Sequence, residues 1–169
     1  MRPLFLIILF IFFIGAKQAP KKKVENIYFK AVKEYVQKKY KVNPDHLNLK
    51  FRFSPFKDFK LIRVRNNSAS HQAWIILVSI KGEKIQLPIN RGWKNFINTI
   101  NSVSSKHPLG LKQAVQFESY LSQVLKIYRN RNYQVSCHLE KDKHNCHFSP
   151  SLENGVSKII LNSKGQLMP

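Results

Sequence analysis

Apolar residues near the start of the chain recur at the spacing of an α-helix. Seven of them follow the pattern i, i+3, i+4 and i+7, namely Val24, Ile27, Tyr28, Ala31, Val32, Tyr35 and Val36. Lysines fall mostly on the other side, so the pattern predicts an amphipathic helix that ends before Asn43-Pro44. We expect its Tyr and Val face to cover a β-sheet. A helix lying on a membrane surface is the alternative, although such helices usually show a larger Leu, Phe or Trp face.

The following segment changes to the period of two that is typical of β-strands. Strands are predicted over residues 47–54, 59–65, 73–80 and 85–89. In the first, Leu47, Leu49, Phe51 and Phe53 alternate with polar residues and should face the core. The third is apolar on both faces, so it should be a central strand. Pro88 marks the fourth as an edge strand or its ending.

Helical spacing returns twice in the second half of the chain, over residues 93–103 and 109–128, and extended segments follow at 133–137 and 158–161. The prediction is an α+β domain in which an N-terminal helix packs on a four-stranded antiparallel meander. Two helices and a C-terminal β portion with a hairpin follow the meander. Residues 24–169 should form this single domain, because a chain of 169 residues is short for two.

The first sixteen residues have the composition of a secretory signal peptide. Arg2 precedes an unbroken apolar run over residues 4–14, and Gly15-Ala16 closes it with small residues. We expect cleavage after Ala16 and export to the periplasm or the extracellular space. An uncleaved membrane anchor is the alternative, because the lysines of the basic linker, residues 17–23, follow at once and resist translocation.

The charge of the chain is strongly unbalanced. Lys and Arg total 29 against nine Asp and Glu, which gives a formal net charge of +20. Charge on this scale opposes compactness, so it indicates a partner of opposite sign: an anionic polymer, an anionic membrane surface or an acidic protein. A general solubility trait is the plainer interpretation. Lysines outnumber arginines, and a Lys lacks the forked geometry that reads bases, so no sequence-specific nucleic-acid reading is expected.

Six basic residues are candidates for contact with an anion: Lys50, Arg52, Arg63, Arg65, Arg91 and Lys94. The first four lie in pairs on two predicted strands, where residues i and i+2 project from the same face. The last two flank Gly92 at a predicted helix start, where free backbone N–H groups favour anions. For Trp93, beside them, stacking on a ligand and packing in the core are equally supported. Trp74 should lie in the core.

The two cysteines lie in a segment whose sequence indicates a β-hairpin. If Lys141-Asp142 is a two-residue turn, Cys137 falls opposite Cys146, at a separation that suits a disulfide. Export to an oxidising compartment favours the bridge. A zinc site is the alternative, since three histidines lie nearby, but in this register only His144 shares a face with both cysteines. We therefore expect no metal.

Catalytic motifs are absent from the sequence, and its carboxylates are scattered, so we assign no catalytic residue and expect no cofactor. The predicted function is an exported basic binding or scaffold protein that attaches electrostatically to an anionic envelope or extracellular component. One alternative is a secreted basic hydrolase whose site is assembled from distant residues. It would show convergent His and carboxylate groups in a groove. Another is a membrane-tethered subunit of an envelope-spanning assembly.

Overall fold

The computed structural model describes residues 21–162 and 164–168 of the chain. The predicted signal segment, residues 1–16, and the start of the predicted basic linker lie outside the described residues. The first helix, α1, spans Lys21–Tyr40. It therefore begins inside the linker predicted from sequence, and residues 21–23 belong to the helix.

The first half of the chain forms a four-stranded antiparallel sheet in the order β1-β2-β3-β4. Its strands are β1 (Leu47–Arg52), β2 (Phe59–Asn66), β3 (Ala73–Ser79) and β4 (Lys84–Leu87). The predicted meander is confirmed, with β3 in the interior of the sheet and the short β4 at its edge before Pro88. We call this the N-terminal sheet.

Two helices follow the N-terminal sheet, α2 (Trp93–Lys106) and α3 (Ala114–Arg129). The predicted start of α3 at residue 109 is wrong, because Gln113 caps the helix. The side chain of Gln116 accepts from the backbone N–H of Gln113, and the backbone N–H of Gln116 donates to the Gln113 carbonyl. The two leucines before this cap, Leu109 and Leu111, lie outside the helix, and their side chains pack against Gly165.

The last third of the chain forms a second antiparallel sheet in the order β5-β6-β7-β8. Its strands are β5 (Gln134–Glu140), β6 (Lys143–Ser149), β7 (Lys158–Asn162) and β8 (Leu167–Met168). The α+β class and the C-terminal hairpin are confirmed. Sequence periodicity missed β8, which is two residues long and too short to show a period.

Apolar side chains on the two faces of the N-terminal sheet form two separate cores. On one face, Val32 and Val36 of α1 pack against Ile62, Val64 and Ile76. On the other, residues of the sheet join α2, α3 and the second sheet in the larger core. The packing face predicted for α1 is wrong at Ile27, which is 66% exposed. Phe29 packs on the sheet instead, where it stacks on Phe51.

Candidate functional site

Four of the candidate cations lie together on the face of the N-terminal sheet that points away from α1. The antiparallel register sets Lys50 opposite Arg63 and Asn48 opposite Arg65, with Arg52 one step further along β1. Alternation along each strand sends the intervening apolar residues to the α1 side. We call Lys50, Arg52, Arg63 and Arg65 the cationic strip.

Like charges directly opposite each other destabilise a strand pair, and the cationic strip contains such a pair in Lys50 and Arg63. Arg63 is half-buried, while its three companions are exposed. Burial, followed by the charges of Arg65 and Arg52, lowers the pKa of the Arg63 guanidinium below its usual value. The fold thus holds these charges together at an electrostatic cost.

Acidic side chains do not neutralise the cationic strip. Among the described residues, ion pairs involve only His107 and Arg129 as cations. The strip and Asn48 line a shallow depression, and no Asp or Glu of the described chain contributes to that lining. The strip therefore presents its positive charge to solvent, or to an anion.

A groove of about 540 Å³ continues from the cationic strip, between the sheet and the C-terminal half of α3. Arg52 and Arg63 belong to both the strip and the groove, and α3 adds Lys126 and Arg129 at the rim. The remaining lining is mainly apolar and uncharged polar: Phe53, Leu61, Ala73, Ile75, Ile89, Asn90, Gln123, Ile127, Tyr128 and Asn130. Sequence reasoning did not single out the two α3 cations, although their i, i+3 spacing places them on one helix face.

Phe53 corrects the alternation predicted for the first strand. Strand β1 ends at Arg52, and Phe53 is 70% exposed instead of facing the core. It lines the groove and also a neighbouring depression that includes Leu109, Leu111 and Val115. An exposed aromatic ring thus lies between the cationic part of the surface and a second apolar part.

Arg91 and Lys94 lie apart from the cationic strip. Both are exposed at the N-terminus of α2, and neither lines the depression or the groove. Trp93 between them packs on the rings of Phe96 and Tyr128, with centroids 5.6 and 5.0 Å away. Its ring therefore serves the core, as the buried Trp74 does beneath α1.

The predicted hairpin is confirmed in its turn, its register and its cysteine pair. Lys141 and Asp142 form the turn with positive φ, and Cys137 lies opposite Cys146 with Cα atoms 4.1 Å apart. Their sulfur atoms lie at disulfide-bonding distance. His144 lies on the same buried face, where it stacks on Phe117 and leaves its Nδ1 without a hydrogen-bond partner.

Histidine and carboxylate groups meet at one place that bears on the hydrolase alternative. His107 Nδ1 lies 3.5 Å from an oxygen of Asp58, and its Nε2 lies 3.9 Å from an oxygen of Glu83. These residues do not line the groove. Glu118 accepts a hydrogen bond from the backbone N–H of Cys137, so it ties α3 to the hairpin. Across the described residues, no cluster of three or more His, Cys, Asp or Glu side chains suits a metal ion.

Membrane-spanning helices are not found within residues 21–162 and 164–168, since none there is both long and apolar enough. Comparisons with protein-family models, with curated proteins and with solved structures find no match to this chain. The cationic strip and the groove are therefore the features of the described chain that bear on function.

Proposed function

We propose that this protein binds an anionic component of the cell envelope or extracellular space through the cationic strip. The observation that carries the proposal is the placement of Lys50 opposite Arg63, with Arg52 and Arg65 beside them and no acid in the lining. Such an arrangement lowers stability in the free protein and becomes favourable when an anion neutralises it.

The residue types in the cationic strip favour recognition of oxyanions. The chain has seven arginines and 22 lysines, and three of those arginines lie in the strip. Arginine presents a planar fork of N–H donors that pairs with both oxygens of a phosphate or carboxylate. A surface that served only solubility has no need to gather arginines on one sheet face. The strip therefore fits carboxylate, sulfate or phosphate groups.

Salt-dependent binding tests this function directly. The double variant Arg63→Gln and Arg65→Gln should weaken binding to heparin and to duplex DNA, and should flatten the log–log salt slope on DNA by about 1–2, since each phosphate contact contributes roughly −0.9. The matched control is Lys30→Gln with Lys38→Gln on α1, which removes the same charge from exposed positions on the opposite side of the sheet.

The double variant and its control separate a site from a general charge effect. A larger loss in the strip variant than in the control supports the proposal. Equal losses in the two would mean that net charge alone attracts the polyanion. Binding that persists unchanged in molar salt would reject an electrostatic site altogether.

Export is the second part of the proposed function, and its basis is the apolar run that ends in Gly15-Ala16. Intact-mass analysis of the protein from producing cells should show loss of residues 1–16. A full-length chain in the membrane fraction would support the tethered alternative instead.

A further inference from the structure

The cationic strip and the groove form a graded surface across the N-terminal sheet. One row of side chains runs through Lys50 of β1, Arg63 of β2, Ile75 of β3 and Leu87 of β4, because these residues are successive cross-strand partners. Along this row the side chains change from charged, in β1 and β2, to aliphatic, in β3 and β4. Leu87 is buried, so a ligand lying on the accessible part of the row meets cations at one end and Ile75 at the other.

The opposite wall of the groove has the same division. Helix α3 contributes Ile127, which faces the aliphatic part of the sheet, and Lys126 at the rim. The last carbonyl groups of a helix carry partial negative charge, and α3 ends at this wall. The last turn of α3 also carries two cations, but Arg129 is paired with Glu153. The helix end offsets part of the charge of Lys126, so an anionic group is favoured on the strand side, at Arg52 and Arg63.

The shape of the groove favours a discrete ligand over a flat surface or a fully charged polymer. Its volume of about 540 Å³ falls in the range of roughly 300–1,000 Å³ that is usual for small-molecule sites. A planar bilayer cannot follow a concave wall. A polymer charged along its whole length would bring charges against Ile75 and Ile89, where they lose water and gain no partner.

We propose that the groove binds a single-chain anionic lipid, whose hydrocarbon chain lies over Ile75, Ile89 and Ile127 and whose phosphate or carboxylate contacts Arg52 and Arg63. This inference rests on the proposed function, because it uses the same two arginines, and it names the anionic component as a lipid. Charge complementarity and the absence of an acidic residue from the groove lining assign this occupant.

Titration calorimetry with monoalkyl phosphates below their micellar concentrations tests the proposal. Affinity should rise by about tenfold for each two carbons added between butyl and decyl phosphate, since a buried methylene contributes ~0.8 kcal/mol and a tenfold change is 1.4 kcal/mol. Inorganic phosphate should bind weakly. Octyl glucoside, which has a chain and no charge, should bind much more weakly than octyl phosphate.

Two variants separate the chain site from the anion site. Ile89→Trp fills the apolar part of the groove without removing a cation, and Ile89 does not line the depression formed by the cationic strip. The variant should therefore abolish the chain-length dependence and leave heparin binding unchanged. Arg63→Gln should weaken both. If Ile89→Trp does not fold, photolabelling of the unaltered protein with a diazirine-bearing decyl phosphate should mark peptides from β3 and the second half of α3.

The possible results distinguish this proposal from the one it rests on. Equal affinities for all alkyl phosphates, with heparin binding retained and sensitive to Arg63→Gln, would overturn the lipid proposal and keep the anion site. Labelling outside the groove would also overturn it. Failure of every anion to bind, heparin included, would overturn both. Chain-length dependence that is lost in Ile89→Trp, with heparin binding retained, supports both.

Discussion

The two faces of the N-terminal sheet are built from the same strands and have opposite characters. The face under α1 is apolar in all its central positions, where Ile62, Val64 and Ile76 are fully buried. The other face is apolar only where α2 and α3 cover it. Toward β1 it carries the cationic strip, with like charges in register.

The apolar side chains under α1 stabilise the fold, whereas the clustered cations on the other face destabilise it. Ile62 and Arg63 are neighbours in β2 and face opposite sides of one strand. A closed apolar face stabilises by burial, whereas a cluster of cations lowers stability unless a ligand offsets the repulsion. The part of the second face that carries the cationic strip is thus the part that favours a binding role, whereas the part under α2 and α3 belongs to the larger core.

The largest expected effect concerns the α1-covered face. Ile62→Ala removes a fully buried side chain, and it should lower the free energy of unfolding by about 2–5 kcal/mol, because it loses burial and leaves a cavity. Urea denaturation measures this loss. Heparin affinity of the folded variant should stay unchanged. A parallel loss of affinity would show that the two faces are coupled.

The second sheet provides a reference outside both faces. Replacing Cys137 and Cys146 together by Ala opens a loop whose ends are nine residues apart. The free energy of unfolding should fall by about 2–3 kcal/mol on the chain-entropy estimate for a loop of this length. Because the hairpin lies away from the cationic strip, anion affinity at temperatures where the variant is folded should match that of the parent. Lower affinity there would place the hairpin in the site.

Alkaline pH should lower the free energy of unfolding through Tyr120 of α3, which lies in the larger core. Burial raises the pKa of its phenol, although a hydrogen bond with Ser104 opposes the change. The unfolded chain therefore ionises first, and stability that is present below pH ~10 should be lost as pH rises, by up to about 1.4 kcal/mol per pH unit for one group. Urea denaturation of the parent and of Tyr120→Phe at pH 7 and pH 11 measures the effect. The variant should lose less, and an equal loss in both would contradict the assignment.

The smallest expected effect, and the most specific, is an increase in the free energy of unfolding. Arg63→Gln removes one member of the like-charge pair with Lys50, and it should raise the free energy of unfolding by about 0.5 kcal/mol at low salt. The gain should shrink in 0.5 M salt because screening already weakens the repulsion. Lys60→Gln, at an exposed position on the other side of the same strand, is the matched control and should change little. An equal gain in the control would assign the effect to net charge.

Local patterns in the sequence were sufficient for the four strands of the N-terminal sheet, for the three helices apart from the start of α3, and for the hairpin. Period-two alternation pairs Lys50 with Arg52, and Arg63 with Arg65, within single strands. The turn at Lys141-Asp142 determines the register that brings Cys137 to Cys146, so the cysteine pair was predictable. Each of these conclusions depends only on residues that are near one another in the chain.

The α+β class, the positive charge and the pairing of the cysteines therefore follow from the sequence alone. Only the fold shows that the two pairs of strand cations lie on one face, that α1 covers the other face, and that α3 closes a groove beside them. Phe53 is exposed because β1 ends at Arg52, one residue before it. These features depend on the register between strands and on which face each helix covers. Both are set by packing between distant segments, which a local period does not encode.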